Sequence, residues 1–125
     1  MTEKFLLRGE DTYHLAPFKY PWAYEMFKNE WKGTWVPEEI NMTQDKFCYE
    51  QQLTPDERWL FKHAFATLTT QDLAVSSNLI ERIHSTIKAP EVRLYLTRQI
   101  GTEGLHSHSY QHCIECIGMD QEEVY

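Results

Sequence analysis

Apolar residues along this chain recur with the period of a helix and almost nowhere alternate as in a strand. The sharpest boundary is Thr54-Pro55-Asp56-Glu57, where Thr54 caps, Pro55 suits the first helical position and Glu57 closes a capping box. A long helix is predicted from there. Its residues Phe61, Phe65, Leu68 and Asp72 fall within about 60° of one another at about 100° per residue, so Asp72 belongs to the apolar side. Upstream, a helix is predicted from about Trp22 to Lys32, bracketed by Pro17 and Pro21 and stopped at Gly33. Trp35-Val36-Pro37-Glu38-Glu39 reads as a turn into a short irregular or helical stretch. Residues 1–20 form the expected N-terminal arm, extended as far as Pro17, and residues 21–125 the helical domain. Periodicity weakens from Ser76 to Ala89, which reads as a helix end and a crossing loop. Pro90-Glu91 then opens a third helix to about Gly118, with Leu96, Ile100, Glu103, His106, Ser107, Tyr110, Ile114 and Ile117 on its inner face. The expected class is all-α, a helical bundle.

Composition narrows the function classes. An apolar share of 42% in 125 residues is enough for one buried core. No apolar run of about 18 residues is present for a membrane span, and MTEKFLLRGEDTYH is too charged for a secretory signal, so the cytoplasm is the expected address. A net charge of -7, with no basic tract, gives no expectation of direct nucleic-acid binding. Three cysteines, an odd number, point to free thiols. Cys113 and Cys116 form a CxxC with no βαβ pattern around it, which reads as two packed helix residues.

On the third helix a polar island interrupts the apolar stripe: Glu103, His106 and Tyr110 stand between Leu96 and Ile100 on one side and Ile114 and Ile117 on the other. Burying a carboxylate there requires a compensating charge, and a metal ion is the simplest. Glu103-x-x-His106 has the i, i+3 spacing by which ferritin-like carboxylate proteins hold metals in a bundle core, and Asp72 can supply a third ligand from a neighbouring helix. Oxygen donors with one imidazole suit iron or manganese. Each residue also has a plain structural use. An ExxH arises on solvated faces, Asp72 can pair with Arg93 or Arg98, and Tyr110 can be a core tyrosine. The remaining histidines, His63, His84, His108 and His112, read as surface residues or as supports for the ligands.

Trp35-Val36-Pro37-Glu38-Glu39-Ile40, Asp72, Pro90-Glu91 and above all Glu103-Gly104-Leu105-His106-Ser107-His108-Ser109-Tyr110, in that order and spacing, resemble the small, radical-generating subunit of class I ribonucleotide reductase over roughly residues 20 to 125. The resemblance implies a ferritin-like bundle and a dinuclear iron, manganese or mixed iron and manganese centre that reacts with dioxygen. It implies that Asp72 and His106 bind one metal, that Glu103 bridges to the second, that Tyr110 holds a radical and that Trp35 relays the oxidising equivalent to a large catalytic subunit. A collar of Phe65, Leu68, Ile100 and Ile114 is expected to shield the radical. The other ligands of that family, a further glutamate and a second ExxH, have no counterpart up to Glu122-Glu123-Val124-Tyr125. The expected partners are therefore a C-terminal half of the small subunit, separate or continuous, the large subunit, and a second copy in a dimer. Another ferritin-like dimetal oxidase and a non-catalytic interaction module are the alternative readings.

Overall fold

The computed structural model describes residues 12–125, so the first half of the expected arm, residues 1–11, lies outside the described residues. Helices account for the architecture, and no strand occurs among the described residues. They are α1 (Pro21–Lys32), a 3-10 turn (Pro37–Glu39), α2 (Thr43–Gln51), α3 (Pro55–Asn78), a π-helical segment (Leu79–His84), α4 (Pro90–Ile117) and α5 (Gln121–Val124). The expected crossing loop is thus shorter than the weak periodicity suggested. Helical backbone runs on through Leu79–His84, because a π-turn changes the residue period without breaking the hydrogen-bonded coil.

The two long helices form where their termini are satisfied locally. At the start of α3, the Glu57 N–H donates to Thr54 Oγ1 at 3.3 Å and the Thr54 N–H donates to Glu57 Oε2 at 2.8 Å, a reciprocal capping box. Within α3, the hydroxyls of Thr67, Thr69 and Thr70 each donate to the carbonyl four residues back, which satisfies these otherwise poor helix formers. At the end of α4, Gly118 takes φ +83°. Its N–H donates to Glu115 O and the Met119 N–H donates to Ile114 O at 3.0 Å, a Schellman ending that needs a residue tolerant of the left-handed region.

The chain divides into two compact units: residues up to Thr34 with Val75–Thr102, and Trp35–Ala74 with Glu103–Tyr125. In the first, Ala23, Leu79, Ile87, Ala89, Val92 and Leu96 form the core, with Tyr20 and Ile100 packed against it. Glu91, 1% exposed, accepts the Lys19 and Tyr20 backbone N–H groups and so fastens the segment before α1 to the first turn of α4. In the second, Ile114, Ile117, Met119 and Val124 form the core, joined by Phe65, Ala66, Met42, Tyr49 and Cys113. Lys62 pairs with Glu123, fastening α5 to α3. The CxxC is two helix residues with free thiols, as the sequence indicated.

Candidate metal centre

The site lies in the second unit, between α3 and α4. Phe65 and Thr69 turn the inward side of α3 toward α4, and the Ser107 hydroxyl donates to the Thr69 carbonyl at 3.5 Å, in a buried position. One turn beyond Thr69 is Asp72, and immediately before Ser107 is His106. This packing sets Asp72 Oδ2 3.5 Å from His106 Nδ1, and the i, i+3 spacing on α4 sets Glu103 Oε2 3.3 Å from the same nitrogen. Asp72, Glu103 and His106 each offer a donor atom within 4.8 Å of the others.

These donors fit a divalent metal. An ion with bonds of about 2.1 Å holds cis ligands about 3 Å apart, so side-chain adjustment alone brings the trio to coordinating distance. Two carboxylate oxygens and one imidazole nitrogen are a set suited to iron or manganese. The carboxylates are largely covered, whereas the His106 side chain keeps 38% of its surface exposed, so the group is open on one side.

Tyr110 follows His106 by one turn of α4, and its ring centroid stands 6.2 Å from that of Phe65. Burial, and then the negative charges of Asp72 and Glu103, push its hydroxyl above the ordinary tyrosine value. It is therefore a neutral phenol at physiological pH. Trp35 is outside the three-residue group. It precedes the 3-10 turn Pro37–Glu39, and that turn is held to α4 by a 2.7 Å contact between Glu38 Oε1 and His108 Nε2.

The expected collar is assembled only in part. Phe65 and Ile114 do share the core of the second unit, but Ile100 packs in the first unit and Leu68 is exposed. Leu60, Phe61 and Leu68 lie within about 100° of one another on α3 and are all exposed, whereas the inward row is Phe65, Thr69 and Asp72. Asp72 stands at the border between the two rows. The pairing of Asp72 with Arg98 is not formed: Arg98 lies over the Trp31 ring and donates to Glu30 O and Thr34 Oγ1.

The family model for the small chain of ribonucleotide reductase matches residues 12–125. The chain belongs to the ribonucleotide reductase small-chain family. It is 34% identical over 120 residues to a ribonucleoside-diphosphate reductase small subunit of Dictyostelium discoideum, covering 96% of this chain and 36% of that protein. The corresponding beta subunit of Chlamydia pneumoniae is 33% identical over 116 residues, with 92% and 34% covered. A protein of Arabidopsis thaliana whose name places it with the small chains of the same reductase is 32% identical over 121 residues and is itself covered to 77%. Among solved structures, the ribonucleotide reductase R2 subunit from Clostridium botulinum aligns with TM-score 0.77 and 29% identity over 85% of this chain and 32% of that one. The ferritin-like helical class expected from the sequence is thereby established, and the chain spans about a third of the length of the first two relatives. Those relatives are enzyme subunits, and no described helix is long and apolar enough to cross a membrane.

Proposed function

We propose that this chain supplies half of the ligands of a dinuclear metal centre in a ribonucleoside-diphosphate reductase small subunit, residues 21–125 being the N-terminal half of a ferritin-like domain. The observation that carries the reading is the convergence of Asp72, Glu103 and His106, with Tyr110 one turn away, in a member of this family. In this reading Asp72 and His106 would hold one metal and Glu103 would reach the second. When bound, an iron or manganese pair supplies one-electron oxidising power drawn from dioxygen.

The chain's own side chains then determine what is oxidised. Tyr110 starts as a neutral phenol, so its oxidation releases the hydroxyl proton along with one electron, and the carboxylates that raise its titration are the bases in its vicinity. Phe65 packs against the ring at a tilted 6.2 Å contact, which would help keep solvent and reductants off a radical there. Trp35, with His106, is the proposed relay toward a large subunit, where ribonucleotides are reduced. The exposed row Leu60, Phe61 and Leu68 beside Asp72 is an apolar surface that a C-terminal half, carrying the other ligands, would cover. We place the protein in the cytoplasm, where its three free thiols stay reduced, and expect it to work as a dimer with no direct contact to nucleic acid.

The test is metal content and low-temperature electron paramagnetic resonance. The chain is loaded anaerobically with iron or manganese, alone and with a C-terminal half, and then exposed to oxygen. A radical signal in the pair that Tyr110→Phe and Glu103→Ala abolish supports the proposal. Metal-free samples without a signal, combined with partner activity that Glu103→Ala leaves intact, would replace it with the interaction-module reading.

A further inference from the structure

We propose that Glu38 and His108 are positioning residues for Trp35, clasping the turn behind it to α4 so that this chain sets the relay in place with its own side chains. The proposal rests on the relay role proposed for Trp35. That residue stands just ahead of Val36 and the 3-10 turn Pro37–Glu39, whose Pro37 is fully buried. The Glu39 N–H donates to Val36 O at 3.2 Å and the Ile40 N–H donates to Pro37 O at 3.0 Å. The turn is therefore closed on itself and goes where Glu38 is held.

The hold on Glu38 is a 2.7 Å contact between its Oε1 and His108 Nε2. An ionised carboxylate only accepts, so the imidazole donates through its Nε2–H. The Glu38 carboxyl is kept below its ordinary value by its own backbone N–H first and then by His108, with His112 contributing least. The His112 ring centroid lies 6.4 Å from that of His108, one turn along the same face of α4. Two imidazoles thus attend one anionic carboxylate.

On the other side of Trp35 the chain is tied separately, within the first unit: Arg98 donates to Thr34 Oγ1 at 3.2 Å and to Glu30 O at 3.4 Å. Trp35 therefore stands between two tethered residues, Thr34 before it and Glu38 after it. Both partners of the Glu38 clasp are more than half exposed, His108 at 53% and Glu38 at 55%. An exposed pair of this kind contributes little to global stability. Its loss frees the turn without unfolding the helices, which is what separates a positioning residue from a structural one.

The probe is the full chain labelled with fluorotryptophan, in which Trp35 is one of four tryptophans and its fluorine signal is assigned with Trp35→Phe. Glu38→Ala and His108→Ala are expected to shift or broaden the Trp35 signal, while the other three signals and the urea midpoint stay in place. Hydrogen exchange at the Glu39 and Ile40 amides should quicken about twofold to fivefold, the change that the usual contribution of an exposed pair allows. Glu38→His combined with His108→Glu is expected to restore both readouts. In the subunit completed by a C-terminal half, the single variants should form the Tyr110 radical in full and pass it to the large subunit more slowly by a similar factor. Absence of the radical from the parent would count against the dinuclear-centre reading alone, since the fluorine and exchange readouts need neither metal nor radical and still decide this one. A Trp35 signal and exchange rates unchanged in both single variants, a change spread over all four signals with a lower urea midpoint, or unslowed transfer of a fully formed radical would overturn the proposal.

Discussion

Replacing Glu91 tests how the first unit is held together. Its Oε1 accepts the Lys19 N–H at 2.6 Å and the Tyr20 N–H at 3.2 Å, while Oε2 is buried with no partner among the described residues. Hydrogen bonds to a charged group contribute about 1.5–3 kcal/mol each, and a buried polar atom without a partner costs about 1–3 kcal/mol. The helix N-terminus adds up to about 1 kcal/mol for a negative charge. Glu91→Ala is therefore expected to destabilise the fold by about 3 kcal/mol. Glu91→Gln, which keeps a neutral acceptor, should cost about 1–2 kcal/mol, since neutral hydrogen bonds are roughly half as strong. The two variants also differ from wild type in pH dependence. Burial pushes the Glu91 carboxyl up, but the N–H groups of Glu91, Tyr20 and Lys19 outweigh it and hold the group below its ordinary value. A depressed folded pKa gives stability that is fully present above the unfolded value and is lost as pH falls through the folded one. Urea unfolding from neutral to acid pH should show the wild-type advantage over Glu91→Gln shrinking on the acid side. Equal stability at neutral pH, or a difference that stays constant into acid, would refute the assignment of Glu91 as a charged anchor.

Three further perturbations are read by the same unfolding assay. Thr54→Ala removes the cap that faces Glu57 and should cost about 1 kcal/mol. At Gly118 an added Cβ would meet only Lys46 atoms at 3.9 Å, an ordinary contact, so the cost of Gly118→Ala, about 1–2 kcal/mol, comes from its φ of +83°. Ile114 is fully buried in the core of the second unit, and Ile114→Ala should cost about 2–5 kcal/mol.

What the sequence revealed was what is local. The capping box, the Gly118 ending and the Glu103–His106 pair depend on residues three or four apart, and all three are formed. Asp72 was legible because a carboxylate in an apolar stripe needs a reason. The period of a stripe, however, does not say which neighbour covers it. Phe61 and Leu68 shared a stripe with Phe65, yet α4 covers Phe65 and leaves the other two exposed. Thr69 escaped notice because a threonine in mid-helix looks neutral until its hydroxyl is seen to donate to the Phe65 carbonyl. The pairing of Glu38 with His108 joins residues 70 positions apart, and no spacing rule reaches that far.

The half-open state of the ligand group leads to a last prediction. Asp72 and Glu103 bring two carboxylates to one imidazole nitrogen, and the exposed side of His106 lets water screen their charge. A C-terminal half laid over Leu60, Phe61 and Leu68 would expel that water, which strengthens the repulsion between the carboxylates and, with it, their attraction for a cation. Metal binding and partner binding should therefore favour one another, and by linkage the factor is the same in both directions, on the order of 5–150-fold. Isothermal titration of the C-terminal half into this chain, with and without manganese under anaerobic conditions, measures one arm. Manganese titration with and without the half measures the other. Glu103→Ala removes one of the two carboxylates and should bring both factors toward unity. Partner affinity indifferent to metal, alongside tight metal binding by the chain alone, would mean that the ligand group is already complete and that the apolar row beside it serves another purpose.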